Sequence, residues 1–274
     1  MGSSPTRRTL PARLGVSLRS QAEVDEVLKH HSRGLNNCKI SRLTSIPRGT
    51  IRDWVHGKTP GHGQPMIRRS LCPRCGQFEE VVPGITRLAY PYLLGLYLGD
   101  GTISTHPRGV YRLRVFLDRA HPRIVRECEA AMALVLPSSK VGTLSHRHER
   151  VEEVSSFSKH WPCLFPQHGP GMKHMRSIVL EPWQERIVDK YPGRLLRGLI
   201  HSDGCRVQNV IRHPKKTYSY PRYFFSNRSL DIQSIFCDAC DRIGVEWRQD
   251  GPWNVSIARR GSVAILDRHI GPKR

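Results

Sequence analysis

The chain has 274 residues and a formal net charge of +21, from 44 Lys and Arg against 23 Asp and Glu. That length can hold one large or two medium domains with a substantial core, and the charge points to a polyanionic partner, DNA or RNA first. No apolar run approaches the roughly 18 residues of a membrane span, and eight scattered cysteines do not make a secreted disulfide framework, so a cytoplasmic protein with reduced thiols is expected.

Residues 1–20, with Arg7, Arg8, Arg13 and Arg19 among Ser, Thr and Pro, read as a basic flexible arm. A helix is expected from Gln21 to Ser32, where Val24, Val27 and Leu28 recur at helical spacing. Gly34 to Lys58 reads as a helix-turn-helix, completing a small module over 21–58. Ile40 and Leu43 supply the inner face of one short helix, Thr44-Ser45-Ile46 the turn, and Ile51, Trp54 and Val55 the inner face of the next, with Pro47 at its start. Arg48, Thr50 and Arg52 then point outward near the N-terminus of the second helix, where such a helix reads the major groove. Residues 1–70 carry thirteen Lys and Arg against four Asp and Glu, which suits a DNA-binding arm.

A linker over 59–87, rich in Gly, Pro and His at its start, contains Cys72-Pro-Arg-Cys75. Cys72 and Cys75 have the spacing of a zinc knuckle. A structural zinc needs four ligands, and the sequence leaves His56, His62 and Cys38 as candidates to complete it, with plain turn thiols as the alternative. Cys237 and Cys240 lie on a helical apolar stripe with Ile232, Ile235 and Phe236 and read as packed core cysteines.

Leu93 to Gly101, LLGLYLGDG, recurs at 196–204 as LRGLIHSDG, and the two align without gaps 103 residues apart. Each copy has small residues four apart, Gly95 and Gly99 in one, Gly198 and Ser202 in the other. That spacing bares one helix face. A helical glycine costs about 1 kcal/mol relative to alanine, so such a face is best explained by close approach of another backbone, and the natural partner is the other copy. Packing of this kind would bring Asp100 and Asp203 side by side at the helix C-termini, each followed by a glycine able to take a left-handed cap. Two carboxylates at negative helix poles call for a cation, and a few hard oxygen ligands suit magnesium.

After the first copy, Tyr111–Leu117 alternates as a strand, His121–Leu136 reads as a helix and 151–161 as a strand. After the second, the same order returns: a strand over Tyr218–Phe225, a helix over Asp231–Ile243, a hairpin around Asp250-Gly251 and a final helix near Val263–His269. Alternation puts Arg112, Arg114 and Arg222 on the strand faces away from the helices, as candidate DNA contacts.

With both motifs present, the chain resembles a single-chain LAGLIDADG homing endonuclease over residues 88 to about 270, preceded by the helix-turn-helix. The resemblance implies an α+β fold of two pseudo-symmetric αββαββα halves, 88–185 and 186–274, whose sheets form saddles along the DNA major groove. It implies that the motif helices form the pseudo-twofold interface and that Asp100 and Asp203, the last acidic residue of each motif, bind two or three Mg2+ ions. The earlier acidic position of the signature is Leu98 in one copy and His201 in the other. The family also places a basic residue near the scissile phosphate after the corresponding strand, which here gives Lys159 and Arg259.

The expectation is therefore a monomeric, sequence-specific, Mg2+-dependent double-strand DNA endonuclease with no small-molecule substrate, nucleoid-associated if bacterial. No intein-splicing motif brackets the repeats, so a freestanding protein is expected. The alternative is a DNA-binding transcription regulator that keeps this fold without activity. Retention of both motif aspartates favours the enzyme.

Overall fold

The computed structural model describes residues 21–46, 48–55, 75, 83–145, 150–214 and 216–271. The chain divides into two units, residues 1–68 and 69–274. In the first, α1 (Gln21–Ser32), α2 (Asn37–Thr44) and α3 (Arg48–Val55) enclose a small core of Val24, Val27, Ile40, Ile46, Ile51 and Trp54. Asn36 caps α2, its Oδ1 accepting from the Lys39 N–H at 3.0 Å. Ser45 then takes a left-handed backbone (φ 56°) and ends the helix. One detail differs from the sequence reading: Leu43 is 63% exposed, and Ile46, expected in the turn, fills the inner position instead. The reversal at Ser45 swings Ile46 under the helices, so the core needs no leucine from the outer side of α2.

The second unit is mixed helix and sheet, built twice. Its first half comprises α4 (Gly84–Asp100), β1 (Gly101–His106), β2 (Val110–Asp118), α5 (Pro122–Val135), β3 (Val141–Ser145), β4 (Val151–Ser158) and a short α6 (Trp161–Leu164). Then come α7 (Pro182–Lys190), α8 (Pro192–Asp203), β5 (Gly204–His213), β6 (Lys216–Ser226), α9 (Leu230–Arg242), β7 (Arg248–Gln249), β8 (Asn254–Ile257) and α10 (Arg260–Ile270). The sheets have the same strand order, β1-β2-β4-β3 and β5-β6-β8-β7, antiparallel throughout. Their registers match as well: Gly101 pairs with Val115 and Val115 with Val154, just as Gly204 pairs with Phe225 and Phe225 with Val255. Sequence reasoning missed β1, β3 and β5, whose residues are polar or exposed and carry little apolar alternation. The expected boundary between residues 185 and 186 falls inside α7.

Alternation explains how the sheets sit on their helices. Leu113, Val115 and Leu117 of β2 are buried against the helical layer, while Arg112, Arg114 and Phe116 occupy the opposite face. Each buried aliphatic of this kind contributes about 1.5–3 kcal/mol relative to an exposed one. In β6, Tyr223 and Phe225 face the core and Arg222 and Phe224 face outward. Helix α5 begins with Pro122 at its first position and buries Ile124, Cys128, Ala131 and Val135 along one side. Cys237 and Cys240 lie in the core of the second half, where burial pushes the Cys237 thiol up to about 12.

One guanidinium ties the halves together. Arg197 on α8 donates to both oxygens of Glu127 on α5 (2.7, 2.8 and 3.0 Å) and to the Ile270 carbonyl at the end of α10. Burial by itself would raise the Glu127 carboxyl, but the Arg197 hydrogen bonds and charge outweigh it and hold it below the usual carboxylate range. A carboxyl depressed on folding adds stability above its unfolded value, and that contribution is lost as pH falls through the lower folded value. Glu127→Gln is therefore expected to cost about 2 kcal/mol at pH 7, between the figures for exposed and buried pairs. Melting curves of parent and variant from pH 7 to 3 check this: the gap should stay constant to about pH 5 and shrink below about pH 4.

Candidate active site

The two motif helices pack glycine to backbone. A Cβ added at Gly95 would lie 2.5 Å from the Leu195 carbonyl oxygen and 2.7 Å from the Leu199 nitrogen. One added at Gly198 would overlap the Tyr92 carbonyl oxygen and lie 2.9 Å from the Gly95 Cα. Both residues of the pair are thus needed for α4 and α8 to come this close. A turn further on, Gly99 faces Ser202, whose Oγ donates back to the Gly198 carbonyl at 3.0 Å. The earlier signature position lies inside the core in both copies: Leu98 is fully buried, and His201 Nδ1 meets the Tyr92 hydroxyl at 3.0 Å.

The glycines after the aspartates do not take the left-handed cap expected of them. Gly101 (φ −88°, ψ 151°) and Gly204 (φ −116°, ψ 166°) are extended, and each helix passes directly into a strand. A Cβ on Gly101 would fall 2.5 Å from the Tyr97 Cα, and one on Gly204 2.7 Å from the Ile200 Cα. Glycine is required here because the departing strand folds back over the last helical turn.

Asp100 and Asp203 end the two packed helices, so the seam delivers both to one end of the interface. The place of a Gly99 Cβ is 3.1 Å from Asp203 Oδ2, which sets the second carboxylate beside the residue preceding the first. Asn227, just beyond β6, donates from Nδ2 to Asp203 Oδ2 at 2.6 Å, while its Oδ1 accepts from the Ser229 N–H at 2.8 Å. The corresponding register position in the first half is the buried Leu117, so the two carboxylates stand in unlike surroundings.

Lys173 is the residue that sequence reasoning missed. Its Nζ donates to the carbonyls of Tyr97, Leu98 (3.1 Å) and Gly99 (2.9 Å), capping the C-terminal pole of α4. Burial pulls this ammonium down to about 8, against the pull of Asp203 and Asp100, which favour its charged form. Gly99, Lys173, Asp203 and Asn227 line a cleft of about 500 Å³ together with Tyr97 and Arg228. No periodicity or motif in the sequence singles out this lysine.

The register gives the places of Lys159 and Arg259 along the strands that leave the helix ends. Counting along the paired strands from the row of Gly101, Val115 and Val154, Lys159 is five residues further on, roughly 17 Å at strand spacing. Its side chain is exposed. Arg259 is four residues beyond Val255, which shares the row of Gly204, and it pairs with Glu246. Of the outward strand arginines, Arg112 is bound to Glu153 (2.6 Å) and Ser155 (3.1 Å) across the sheet and braces β2 against β4. Arg114 lies over Phe116 and Arg222 over Phe224. In the N-terminal unit Arg52 is exposed and Thr50 half-buried, while Pro47 and the Arg48 side chain lie outside the described residues. Cys72, His56, His62 and the Cys38 side chain lie outside them too, whereas Cys75 is described and meets His160.

Asp100 and Asp203 offer two carboxylates at the negative poles of adjacent helices, and Asp203 shares the cleft with the cations Lys173, Arg176 and Arg228. Such a donor set fits a divalent cation bound through hard oxygen ligands.

No protein-family profile matches the chain, and neither does any curated protein. Among solved structures it is similar to I-DmoI in complex with DNA and Mn, at 15% identity over 68% of this chain and 98% of that one, with a TM-score of 0.46. It is also similar to the N-terminal LAGLIDADG domain of WhiA, at 14% identity over 76% and 94%, TM-score 0.42. A third is the LAGLIDADG homing endonuclease I-LtrWI bound to target DNA, at 7% identity over 68% and 85%, TM-score 0.44.

Proposed function

We propose that this chain is a LAGLIDADG-type endonuclease that cuts double-stranded DNA at a specific sequence and depends on a divalent metal, Mg2+ in the cell. The observation that carries this reading is the arrival of Asp100 and Asp203 at one end of a glycine-to-backbone helix seam, with the half-buried Lys173 beside both. Asp100 and Asp203 are the residues that would hold the metal, two or three ions in all. When bound, such an ion acts as a Lewis acid on the scissile phosphate.

The remaining groups prepare that chemistry. Lys173 neutralises the end of α4 and offsets part of the carboxylate charge. Asn227 fixes the Asp203 carboxylate in one orientation. The outer sheet faces, with Arg114 and Arg222 on aromatic rings and the stacked pair Tyr218 and Tyr220 on the long β5–β6 hairpin, are the proposed DNA contacts. The three-helix unit is proposed to extend the footprint as a helix-turn-helix, through Arg48, Thr50 and Arg52.

The test is cleavage of a supercoiled plasmid pool carrying randomised inserts or the DNA flanking the reading frame, with 10-mM-scale Mg2+ (about the usual excess for a weak hard-ion site). Linear product with ends mapping to one recurring sequence is expected. A shifted band with no cutting in either Mg2+ or Mn2+ would overturn the enzyme and leave a DNA-binding regulator.

A further inference from the structure

We infer that the second unit holds a structural zinc ion away from the aspartates, bound by Cys75, His160 and Cys163, clamping the chain ahead of the first motif helix to the turn after β4. The Cys75 Sγ lies 3.2 Å from His160 Nδ1, and the ligand atoms of Cys75, His160 and Cys163 all fall within 4.8 Å of one another. A tetrahedral zinc with bonds of about 2.3 Å to sulfur and about 2.1 Å to nitrogen puts its ligand atoms roughly 3.6–3.8 Å apart, so the cluster needs only small adjustments to take the ion.

Local structure explains why these side chains converge. His160 precedes the short α6, and the Cys163 N–H donates to the His160 carbonyl at 3.0 Å, so the two residues sit one tight turn apart. The His160 N–H is held by Ser158 Oγ at 3.1 Å, which fixes the turn to the end of β4. Below it, Trp161 is fully buried and donates from Nε1 to the Ser156 carbonyl at 3.0 Å, making the His-x-x-Cys turn a rigid platform. Cys75 comes to it across 85 residues of sequence. In sequence, Cys72 and Cys75 keep the Cys-x-x-Cys spacing of a zinc knuckle, and Cys72 lies outside the described residues.

The donors are soft, thiol sulfur and imidazole, unlike the hard oxygens of Asp100 and Asp203, so the two sites sort different metals. Binding releases a proton from each thiol and requires the imidazole neutral, which makes retention weaken in acid. In sequence, Cys75 stands nine residues before Gly84, the first residue of α4. This inference stands whether or not the aspartates cut DNA.

Elemental analysis of the full chain, purified under reducing conditions without chelator, is expected to give about one zinc per chain. Replacement by Co2+ should show the intense visible bands of a tetrahedral, thiolate-ligated ion. Cys163→Ser and His160→Ala should each lower bound zinc at least about tenfold at limiting metal. Cys163→His, which keeps a ligand, should retain the ion with the charge-transfer band reduced. A chain without zinc that also fails to take up Co2+, full zinc content in both Cys163→Ser and His160→Ala, or a Cys75–Cys163 disulfide in the reduced-lysate protein would each overturn the site. Cleavage is not the readout, so failure here and failure of the nuclease reading are separate results.

Discussion

Asn in place of Asp203 is expected to leave the protein folded and DNA-bound while lowering the single-turnover cleavage rate roughly 10³-fold, the scale of losing one main electrostatic contact to a reacting phosphate. The substitution is nearly isosteric. Asn227 Nδ2 now donates to Asp203 Oδ2 and can donate equally to an amide oxygen placed there, so the local hydrogen bond survives. What is lost is charge: one of the two anions that favour the Lys173 ammonium disappears, and with it half of the carboxylate pair proposed to hold metal. Asp100→Asn should behave alike, although its surroundings differ, with Leu117 at the register position that Asn227 occupies beside Asp203. Band-shift titration and single-turnover cleavage on the selected target separate binding from chemistry. If both variants cut as fast as the parent, the carboxylate pair is not the catalytic centre.

The seam was legible because it is written twice. Gapless repetition of Gly95 and Gly198, with an aspartate five residues on in each copy, specifies close helix packing and the convergence of its ends without any tertiary information. The strands at the saddle edges were not legible: β5 runs largely exposed, so selection on burial leaves no period-two signature. Lys173 was invisible for a different reason. Its role depends on three carbonyls more than 70 residues away, and one lysine in a loop of His, Pro and Gly looks like any other. Lys159 and Arg259 came from the resemblance alone, and no pattern in the residues themselves marks either one. Of the proposed zinc ligands, spacing marks only Cys75, since His160 and Cys163 lie on a turn 85 residues and more away and can be found only through the fold.

Gly198→Ala should be strongly destabilising. Two effects oppose each other. Alanine gains up to about 1 kcal/mol over glycine in a helix interior. Against this, the new Cβ overlaps the Tyr92 carbonyl oxygen and approaches Gly95 Cα and Leu96 N at 2.9 Å, all backbone atoms of the facing helix that no rotamer change can move aside. Relief requires α4 and α8 to separate, which opens a core cluster shared by both halves. The net cost is expected near 3 kcal/mol, the upper end for over-packing, or a melting temperature lower by roughly 6–12 °C. Gly261 supplies the control. It lies in α10 with open space where its Cβ would stand, so Gly261→Ala should keep the helix gain and raise the melting temperature by about 1–3 °C. Since Asp100 and Asp203 sit at the ends of the separating helices, residual folded Gly198→Ala protein should also cut more slowly than its folded fraction accounts for. A Gly198→Ala protein as stable as the parent would mean that the two backbones are not in contact in solution, and with that the placement of the carboxylates would lose its physical basis.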